Sequence, residues 1–215
     1  REDLIHAIDQ VGTPSILKTR RFGYDGKGQI KLESASQFED LCKDSSTKDL
    51  ILEGFVNFSR EFSVIGSRSK DGQISCFDPG ENVHREGILR TTTVPANLTV
   101  QQKTEAVLIT AKFLESLNYV GVIGIEFFLE GNSLVVNEFA PRVHNSGHWT
   151  QNGCIVDQFE QHIRAITGWK LGNAERHSDI IMENLIGDEI YKTNKLVADG
   201  SLALHLYGKA DVKPG

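Results

Sequence analysis

The 215-residue chain is 39% hydrophobic and 24% charged, a composition that supports a folded core and excludes an intrinsically disordered protein. Its 23 basic and 29 acidic residues give a net charge of −6 without long single-sign runs, which argues against a protein that binds a nucleic-acid backbone. No apolar run approaches the roughly 20 residues of a membrane-spanning helix, and no signal-peptide pattern opens the sequence, so a membrane partner is not expected.

The cysteines indicate the redox compartment. Cys42, Cys76 and Cys154 are odd in number, lie far apart and form no C-x-x-C pair. Neither a disulfide framework nor a zinc ribbon is therefore predicted. A reducing cytoplasm is the expected location.

The first 54 residues are predicted to form a small α+β unit. Apolar side chains at helical spacing predict a first helix that ends at Gly12. A capping box that begins at Ser36 predicts a second, short helix. The predicted strands of this region cover residues 15–19, 29–32 and 50–53.

The region after residue 55 is predicted to contain more strands and two helices. A long helix follows a cap at Thr99, and a later helix closes at Gly168. The buried face of the long helix is predicted to consist of Val107, Ala111, Leu114 and Leu117. Residues 81–90 are predicted to form a solvated loop. Strands are predicted at residues 61–66, 74–77, 122–129, 133–140, 180–185 and 202–207.

Two features of the small unit suit a nucleotide. The glycines of residues 23–28 follow neither the Rossmann nor the Walker order, but glycines let the amides of a hairpin tip approach phosphate oxygens, and Lys27 adds a positive charge. Lys18 interrupts an apolar strand, where a phosphate can serve as its partner. The alternatives are an ordinary hairpin turn and a lysine that faces solvent.

Glu126 and Glu138 each place a carboxylate inside an apolar strand. If residues 130–132 connect the two strands, Glu126 lies diagonal to Glu138 on one sheet face, where both can bind Mg²⁺ with Asn137 as a further oxygen ligand. A two-residue turn would instead put the carboxylates on opposite faces, unless one strand carries a bulge. Solvent exposure explains one such residue more easily than two.

Residues 141–149 concentrate polar side chains directly after these carboxylates. Arg142 has a planar guanidinium that suits bicarbonate or a carboxylated intermediate. The spacing of His144 and His148 permits zinc, but Asn145 and Gly147 make a helix unfavourable there, and no H-E-x-x-H motif is present.

Three long motifs, at residues 18–29, 81–90 and 137–150, occur together and in order. With them the sequence resembles, from end to end, the family of ATPase components of phosphoribosylaminoimidazole carboxylases, the 5-(carboxyamino)imidazole ribonucleotide synthases of the ATP-grasp superfamily. The resemblance implies an α+β ATP-grasp fold in which two α+β subdomains clamp ATP. The small subdomain would cover residues 1–54, incomplete at its start, the large subdomain residues 55–175 with the metal and bicarbonate sites, and a truncated strand-rich segment residues 176–215.

The resemblance also implies a Rossmann-like domain before the first residue, since the chain opens inside a predicted helix without an initiator Met. It assigns Mg²⁺, or Mn²⁺ as a substitute, to Glu126 and Glu138. The residues expected to bind the nucleotide are Lys18, Tyr24, Asp25, Gly26, Lys27, Glu53, Phe55, Val56, Glu61, His84 and Asn137. Those expected to act in catalysis are Arg142, His144, Asn145 and Lys27. Val143 stands where the family usually has proline.

The reaction implied by the resemblance is ATP-dependent carboxylation of 5-aminoimidazole ribonucleotide by bicarbonate in de novo purine biosynthesis. Bicarbonate attacks the γ-phosphate to give carboxyphosphate, and the exocyclic amine then captures either the carboxyl group or the carbon dioxide released from it. A homodimer is implied, with a mutase as partner or fused domain. Two alternatives stay open: another ATP-grasp carboxylate-amine ligase, against which residues 144–150 argue, and a non-catalytic nucleotide-binding fragment.

Overall fold

The computed structural model describes residues 2–20, 28–34, 36–37, 50–208 and 212, and of residues 2–5 it describes only the backbone. The predictions for Tyr24, Asp25, Gly26 and Lys27, and most of the short helix predicted from Ser36, lie outside these residues. The chain divides into two compact units: Arg1–Asn57 with Glu86–Ile88, and Phe58–Arg85 with Leu89–Gly215.

The described part of the first unit contains a three-stranded antiparallel sheet and the helix that packs against it. The elements are α1 (Glu2–Val11), β1 (Ser15–Thr19), β2 (Gln29–Leu32) and β3 (Leu50–Gly54), with strand order β2-β1-β3. Because side chains alternate along a strand, Leu17 and Leu32 lie on one face, where Ile8 of α1 packs against them. Lys18 and Glu53 lie on the other face. The predicted strands are confirmed, and α1 ends at Val11, directly before Gly12, as expected.

The second unit is built on a seven-stranded sheet. Its strands are β4 (Arg60–Arg68), β5 (Ile74–Cys76), β6 (Gly80–Arg85), β7 (Ile88–Val94), β8 (Gly121–Glu130), β9 (Ser133–Ala140) and β10 (Ile180–Glu183). The order is β10-β7-β6-β4-β8-β9, and β5 pairs with β4. The helices are α2 (Val100–Ser116), α3 (Thr150–Gly153), α4 (Gln158–Thr167) and α5 (Thr193–Leu196), with 3₁₀ turns at Asn145–Gly147 and Gly187–Lys192. None of the helices in the described ranges has the length and apolar character needed to cross a membrane.

Alternation along β8 separates a structural face from a polar face. Ile123, Ile125 and Phe127 are buried against α2, in a core that includes Ala106 and Leu114. Each such side chain contributes roughly 1.5–3 kcal/mol by leaving water. The opposite face of β8 carries Val122, Gly124 and Glu126, and the polar residues of the candidate site lie there.

Residues 81–90 are a β-hairpin formed by β6 and β7, so the prediction of a solvated loop was wrong. The turn residues Glu86 and Gly87 have φ values of 53° and 77°, as a two-residue type I′ turn requires. The alternation in β6 is inverted, because Asn82 is buried while Val83 is 47% exposed. Hydrophobic periodicity therefore could not reveal this strand.

Two smaller predictions also need correction. The buried face of α2 consists of Gln102, Ala106, Thr110 and Leu114. Leu117 is 51% exposed because it caps the end of the helix, and Thr110 tolerates burial because its hydroxyl donates to the Ala106 carbonyl at 2.9 Å. Residues 202–208 are irregular where a strand was predicted. In this segment Tyr207 contacts His148 through its side chain, and no strand of the described chain pairs with it.

Candidate active site

Glu126 and Glu138 lie directly opposite each other on one face of the β8–β9 pair. Glu130 pairs with Ser133, so the turn has two residues and the expected three-residue connection was wrong. A regular two-residue hairpin would point the carboxylates to opposite faces. A bulge prevents this, since Phe127 pairs with Val136 whereas Glu126 pairs with Glu138, which leaves Asn137 as the extra residue.

The carboxylate pair is electrostatically costly without a cation. Burial and the facing Glu138 carboxylate raise the pKa of Glu126, and Glu61 acts in the same direction, although His84 and the Asn137 amide oppose the shift. Asn137 Nδ2 lies 3.4 Å from Glu126 Oε2, so the amide group meets the carboxylate as a donor. A hard divalent cation would remove the repulsion.

The donor set fits Mg²⁺. Across residues 2–20, 28–34, 36–37 and 50–208, no group of three or more His, Cys, Asp or Glu is placed to hold a metal ion. Magnesium does not need such a group, because it is commonly held by one or two carboxylates, substrate phosphates and water. Two facing glutamates meet that requirement, whereas a site for zinc would need more protein ligands.

Glu61 and His84 form an acid–base pair on the same sheet face. Glu61 is opposite Asn82, and Ser63, two residues further along β4, is opposite Glu126. His84 Nδ1 lies 3.0 Å from Glu61 Oε2. Burial by itself lowers the pKa of His84, but the Glu61 carboxylate, with weaker effects from other glutamates, raises the net pKa above its usual value. The polar residues thus form a continuous row across β6, β4, β8 and β9.

His144 approaches this row from the loop after β9. Its side chain is 9% exposed, and its Nδ1 lies 2.7 Å from Ser146 Oγ while also facing the Ser146 N–H at 3.4 Å. Since Nδ1 acts as the acceptor, the proton is on Nε2, which lies 3.3 Å from Glu126 Oε1. Burial, with the positive charge of Arg142 and the neighbouring His148, lowers the pKa of His144 to about 4. The contact with Glu126 therefore joins a neutral ring to the carboxylate and is not an ion pair.

The close approach of His144 depends on Gly124 of β8. A Cβ atom on Gly124 would lie 2.8 Å from the Cβ of His144, nearer than real side-chain contacts allow. Gly124 lies between Val122 and Glu126 on the same face of β8. The missing side chain leaves the space in which the imidazole rests against the sheet.

The other predicted residues of this loop surround His144. Arg142 is exposed, and its Nη1 donates to the Val143 carbonyl at 2.9 Å. Val143 packs against the core cluster that contains Trp149, so the loop is anchored where the family usually has proline. The Oδ1 atom of Asn145 is buried and accepts no hydrogen bond within the described part of the chain. Such an acceptor is costly unless a ligand satisfies it.

His144 and His148 do not converge on one point. His148 Nδ1 contacts the Tyr207 hydroxyl at 2.9 Å, and its ring packs beside Phe159. Burial lowers the pKa of His148, and the neighbouring His205 lowers it further. Each ring thus has its own partners.

Two of the predicted nucleotide-binding residues, Lys18 and Glu53, lie on the face of the small sheet that is opposite Leu17 and Leu32. Lys18 Nζ and Glu53 Oε2 form an ion pair at 2.7 Å. Lys31 Nζ lies 4.3 Å from the centre of the Phe55 ring. The Phe55 N–H donates to the Pro14 carbonyl at 3.2 Å, and Val56 follows as a half-buried residue. The roles of Lys18, Glu53, Phe55 and Val56 in binding stay predictions.

Sequence reasoning assigned no role to Ser63, Ser146 or Gln158. Ser63 Oγ donates to Ser146 Oγ at 2.6 Å, and the carboxamide of Gln158 hydrogen-bonds to the His144 backbone. Ser63 had one visible sign, since it interrupts the apolar run of β4. Gln158 had none, because a glutamine in the first turn of a helix is ordinary.

Known proteins are similar to this chain in sequence and in fold. The sequence model of the ATP-grasp domain matches residues 1–159. The chain is 51% identical over 217 residues to N5-carboxyaminoimidazole ribonucleotide synthase of Brucella melitensis, covering 100% of this chain and 60% of that relative. It is 40% identical over 221 residues to the synthase of Bacillus subtilis, with 100% and 57% covered. The chain thus spans less than two thirds of the length of these curated relatives.

A solved structure is similar to this chain in fold. The crystal structure of an N5-carboxyaminoimidazole ribonucleotide synthetase in complex with ADP has a TM-score of 0.92 and 38% identity, with 99% of this chain and 57% of that chain covered.

Proposed function

The chain belongs to the ATP-grasp family, and on that premise we propose that it is the main part of a 5-(carboxyamino)imidazole ribonucleotide synthase. The proposed reaction joins bicarbonate to 5-aminoimidazole ribonucleotide at the expense of ATP, giving 5-(carboxyamino)imidazole ribonucleotide, ADP and phosphate. The relative that is 51% identical over the whole chain carries the name of that synthase. The observation that carries the proposal is the facing Glu126 and Glu138 pair beside the neutral His144 ring.

Glu126 and Glu138 would hold Mg²⁺, with Mn²⁺ as a substitute. When bound, the cation neutralises charge on ATP phosphates during phosphoryl transfer. The raised pKa of Glu126 supports this role, because its burial beside a second carboxylate is relieved by a cation. Asn137, as the bulge residue between the strands, fixes the register that lets both carboxylates face one ligand.

Arg142, His144 and Asn145 would form the pocket for bicarbonate and the amine. The exposed guanidinium of Arg142 can bind a planar oxyanion through paired hydrogen bonds. The ring of His144 is better suited to donate through Nε2–H than to take up a proton, because its pKa is about 4 and Nδ1 is engaged by Ser146. The Oδ1 atom of Asn145, which accepts no hydrogen bond from the residues that the structure describes, suits an N–H of the amine.

The nucleotide-binding roles are proposed residue by residue. The ion pair of Lys18 with Glu53 holds both side chains on one face of the small sheet, where Lys18 can donate to ATP. Glu61, paired with His84, offers carboxylate oxygens to ribose hydroxyls. The remaining proposed set rests on the family resemblance and consists of Tyr24, Asp25, Gly26, Lys27, Phe55, Val56, His84 and Asn137.

The proposal also includes the oligomeric state and the cellular compartment of the protein. A homodimer and a mutase, as partner or fused domain, follow from the family resemblance, and light scattering tests the dimer. Burial raises the pKa of Cys76 to about 12 and that of Cys154 to about 11, and both thiols are free. Free thiols suit the reducing cytoplasm.

The proposal is tested by measuring ADP formation with a protein that contains this chain and has the full length of the relatives. We expect turnover that requires both bicarbonate and 5-aminoimidazole ribonucleotide, and that Glu138→Gln abolishes. Glu130→Gln, an exposed change on the same hairpin, is the matched control and should keep activity. Turnover stimulated by a different amine would indicate another carboxylate-amine ligase, and nucleotide binding without turnover would indicate a binding module.

A further inference from the structure

We propose that Gln158 is a positioning residue for His144, which it holds by a two-point clamp on the backbone; this inference rests on the proposed function of the bicarbonate pocket. Gln158 Oε1 accepts from the His144 N–H at 2.9 Å, and its Nε2 donates to the His144 carbonyl at 2.8 Å. One carboxamide therefore satisfies both polar backbone groups of His144. It replaces the neighbouring strand that this residue lacks.

The clamp is needed because His144 lies in a buried, irregular segment. His144 has an extended conformation, with φ of −124° and ψ of 146°, at the start of the 3₁₀ turn. Buried backbone groups without hydrogen-bond partners destabilise a folded protein. Gln158, itself 0% exposed, supplies the partner of the His144 N–H and a second donor to the His144 carbonyl, which also accepts from the Gly147 N–H at 3.0 Å. The backbone of His144 is thereby held in one position.

The surrounding residues fix Gln158 in turn. The Gln158 N–H donates to Thr150 Oγ1 at 3.1 Å, and the Thr150 hydroxyl donates to the Gly147 carbonyl at 2.7 Å. A Cβ atom on Gly147 would lie 2.5 Å from Gln158 Oε1, so only glycine leaves room for the carboxamide. The clamp is thus a built feature of the loop and of the first turn of α4.

The imidazole ring has hydrogen-bond partners of its own, and it meets them only while the backbone of His144 stays in place. Ser63 donates to Ser146, and Ser146 donates to His144 Nδ1 at 2.7 Å. The clamp thus sets the position of the His144 Cα atom, and the two serines set the orientation of the ring. Both are required to aim Nε2–H at one point beside Glu126.

Helix α4 contains a matched control for this idea. Gln161 is also 0% exposed, and its carboxamide clamps Gly172 in the same way: Nε2 donates to the Gly172 carbonyl at 3.1 Å and Oε1 accepts from the Gly172 N–H at 2.8 Å. No residue of the candidate site contacts Gly172 through these bonds. Loss of either clamp should therefore lower the stability similarly, but only loss of the Gln158 clamp should disturb His144.

The experiment compares Gln158→Met with Gln161→Met. Urea unfolding should show similar losses in both variants, because each loses two hydrogen bonds of the same kind. In the full-length protein, Gln158→Met should raise the KM for bicarbonate about tenfold, the equivalent of one or two lost hydrogen bonds, with the KM for ATP within about twofold. Gln161→Met should leave both KM values within about twofold. An equal change in the two variants, or no change in Gln158→Met, would overturn the proposal.

Two further measurements keep the outcome decisive. Gln158→Glu retains the acceptor for the His144 N–H and the side-chain shape, so it covers the case in which Gln158→Met does not fold, and it should give an intermediate KM. Ring ¹⁵N NMR should show the Nε2–H tautomer of His144 in the wild type and in Gln161→Met, but averaged tautomers in Gln158→Met. If the wild type has no bicarbonate-dependent turnover, the proposed function fails while this spectrum still tests the clamp. An unchanged His144 spectrum in Gln158→Met would refute the clamp by itself.

Discussion

The neutral burial of His144 predicts that the protein loses stability in mild acid. The ring has an ordinary pKa near 6.5 in an unfolded chain and a pKa of about 4 in the folded protein. Between these values the unfolded chain binds the proton more tightly. The contribution is therefore fully present above about pH 6.5 and is lost as the pH falls toward about 4.

The size of this effect follows from the two pKa values. The complete shift corresponds to roughly 3 kcal/mol, at about 1.36 kcal/mol per pKa unit. At pH 5 the unfolded ring is almost fully protonated while the folded ring is largely neutral, so about 2 kcal/mol should already be lost. That loss is a large fraction of the 5–15 kcal/mol typical of the free energy of unfolding of a protein.

Urea unfolding at about pH 7.5 and pH 5 measures the effect in the wild type and in His144→Gln. Other groups titrate in both proteins, so the difference between their pH dependences isolates His144. We expect the variant to lose about 2 kcal/mol less than the wild type over this range. His6→Gln, a change at an exposed histidine on α1, should keep the wild-type pH dependence. If His144→Gln and the wild type lose the same stability, His144 is not buried as a neutral ring.

Three other changes test neighbouring features. Glu126→Gln should stabilise the metal-free protein at neutral pH, because the raised pKa of Glu126 means that its charged form destabilises the fold as the pH rises. In thermal melts of this variant, added Mg²⁺ should no longer raise the Tm. Gly124→Ala should cost about 1–3 kcal/mol in urea unfolding, since its Cβ would lie 2.8 Å from that of His144; a neutral result would mean that the ring can move away freely. Hydrogen bonds from Arg90 hold the pKa of Glu189 at about 2, so the Glu189 carboxylate contributes stability that the wild type loses as the pH falls from about 4.5 through 2. Arg90→Gln should lack this contribution. An acid unfolding curve identical to that of the wild type would contradict this.

The metal carboxylates could be predicted because a charged residue inside an apolar strand is conspicuous. The register that brings them together could not be predicted. Glu126 and Glu138 face each other only because Asn137 is bulged out of the pairing, and a two-residue turn alone would have separated them. A bulge depends on how two strands fit over their whole length, and no single residue of β9 encodes it.

The β6–β7 hairpin was missed for a related reason. Hydrophobic periodicity assumes that the buried face of a strand is apolar. In β6 the inward positions hold Asn82 and His84, whose partners are Thr92 and Glu61, so the apolar Val83 points outward. A strand that lines a polar site inverts the pattern, and its charges then resemble those of a solvated loop.

Site residues with reactive side chains can be found from the sequence, whereas residues that act through the backbone or through a missing side chain cannot. Arg142 and His144 carry chemistry in their side chains, so their residue types and their clustering indicate a site. Gln158 acts on the backbone of another residue 14 positions earlier, and Gly124 acts by the absence of a side chain. Their effects exist only after β8, the loop and α4 have come together. Residues of this kind decide where the imidazole is held, so the accuracy of the site depends on tertiary contacts that the composition of the loop does not contain.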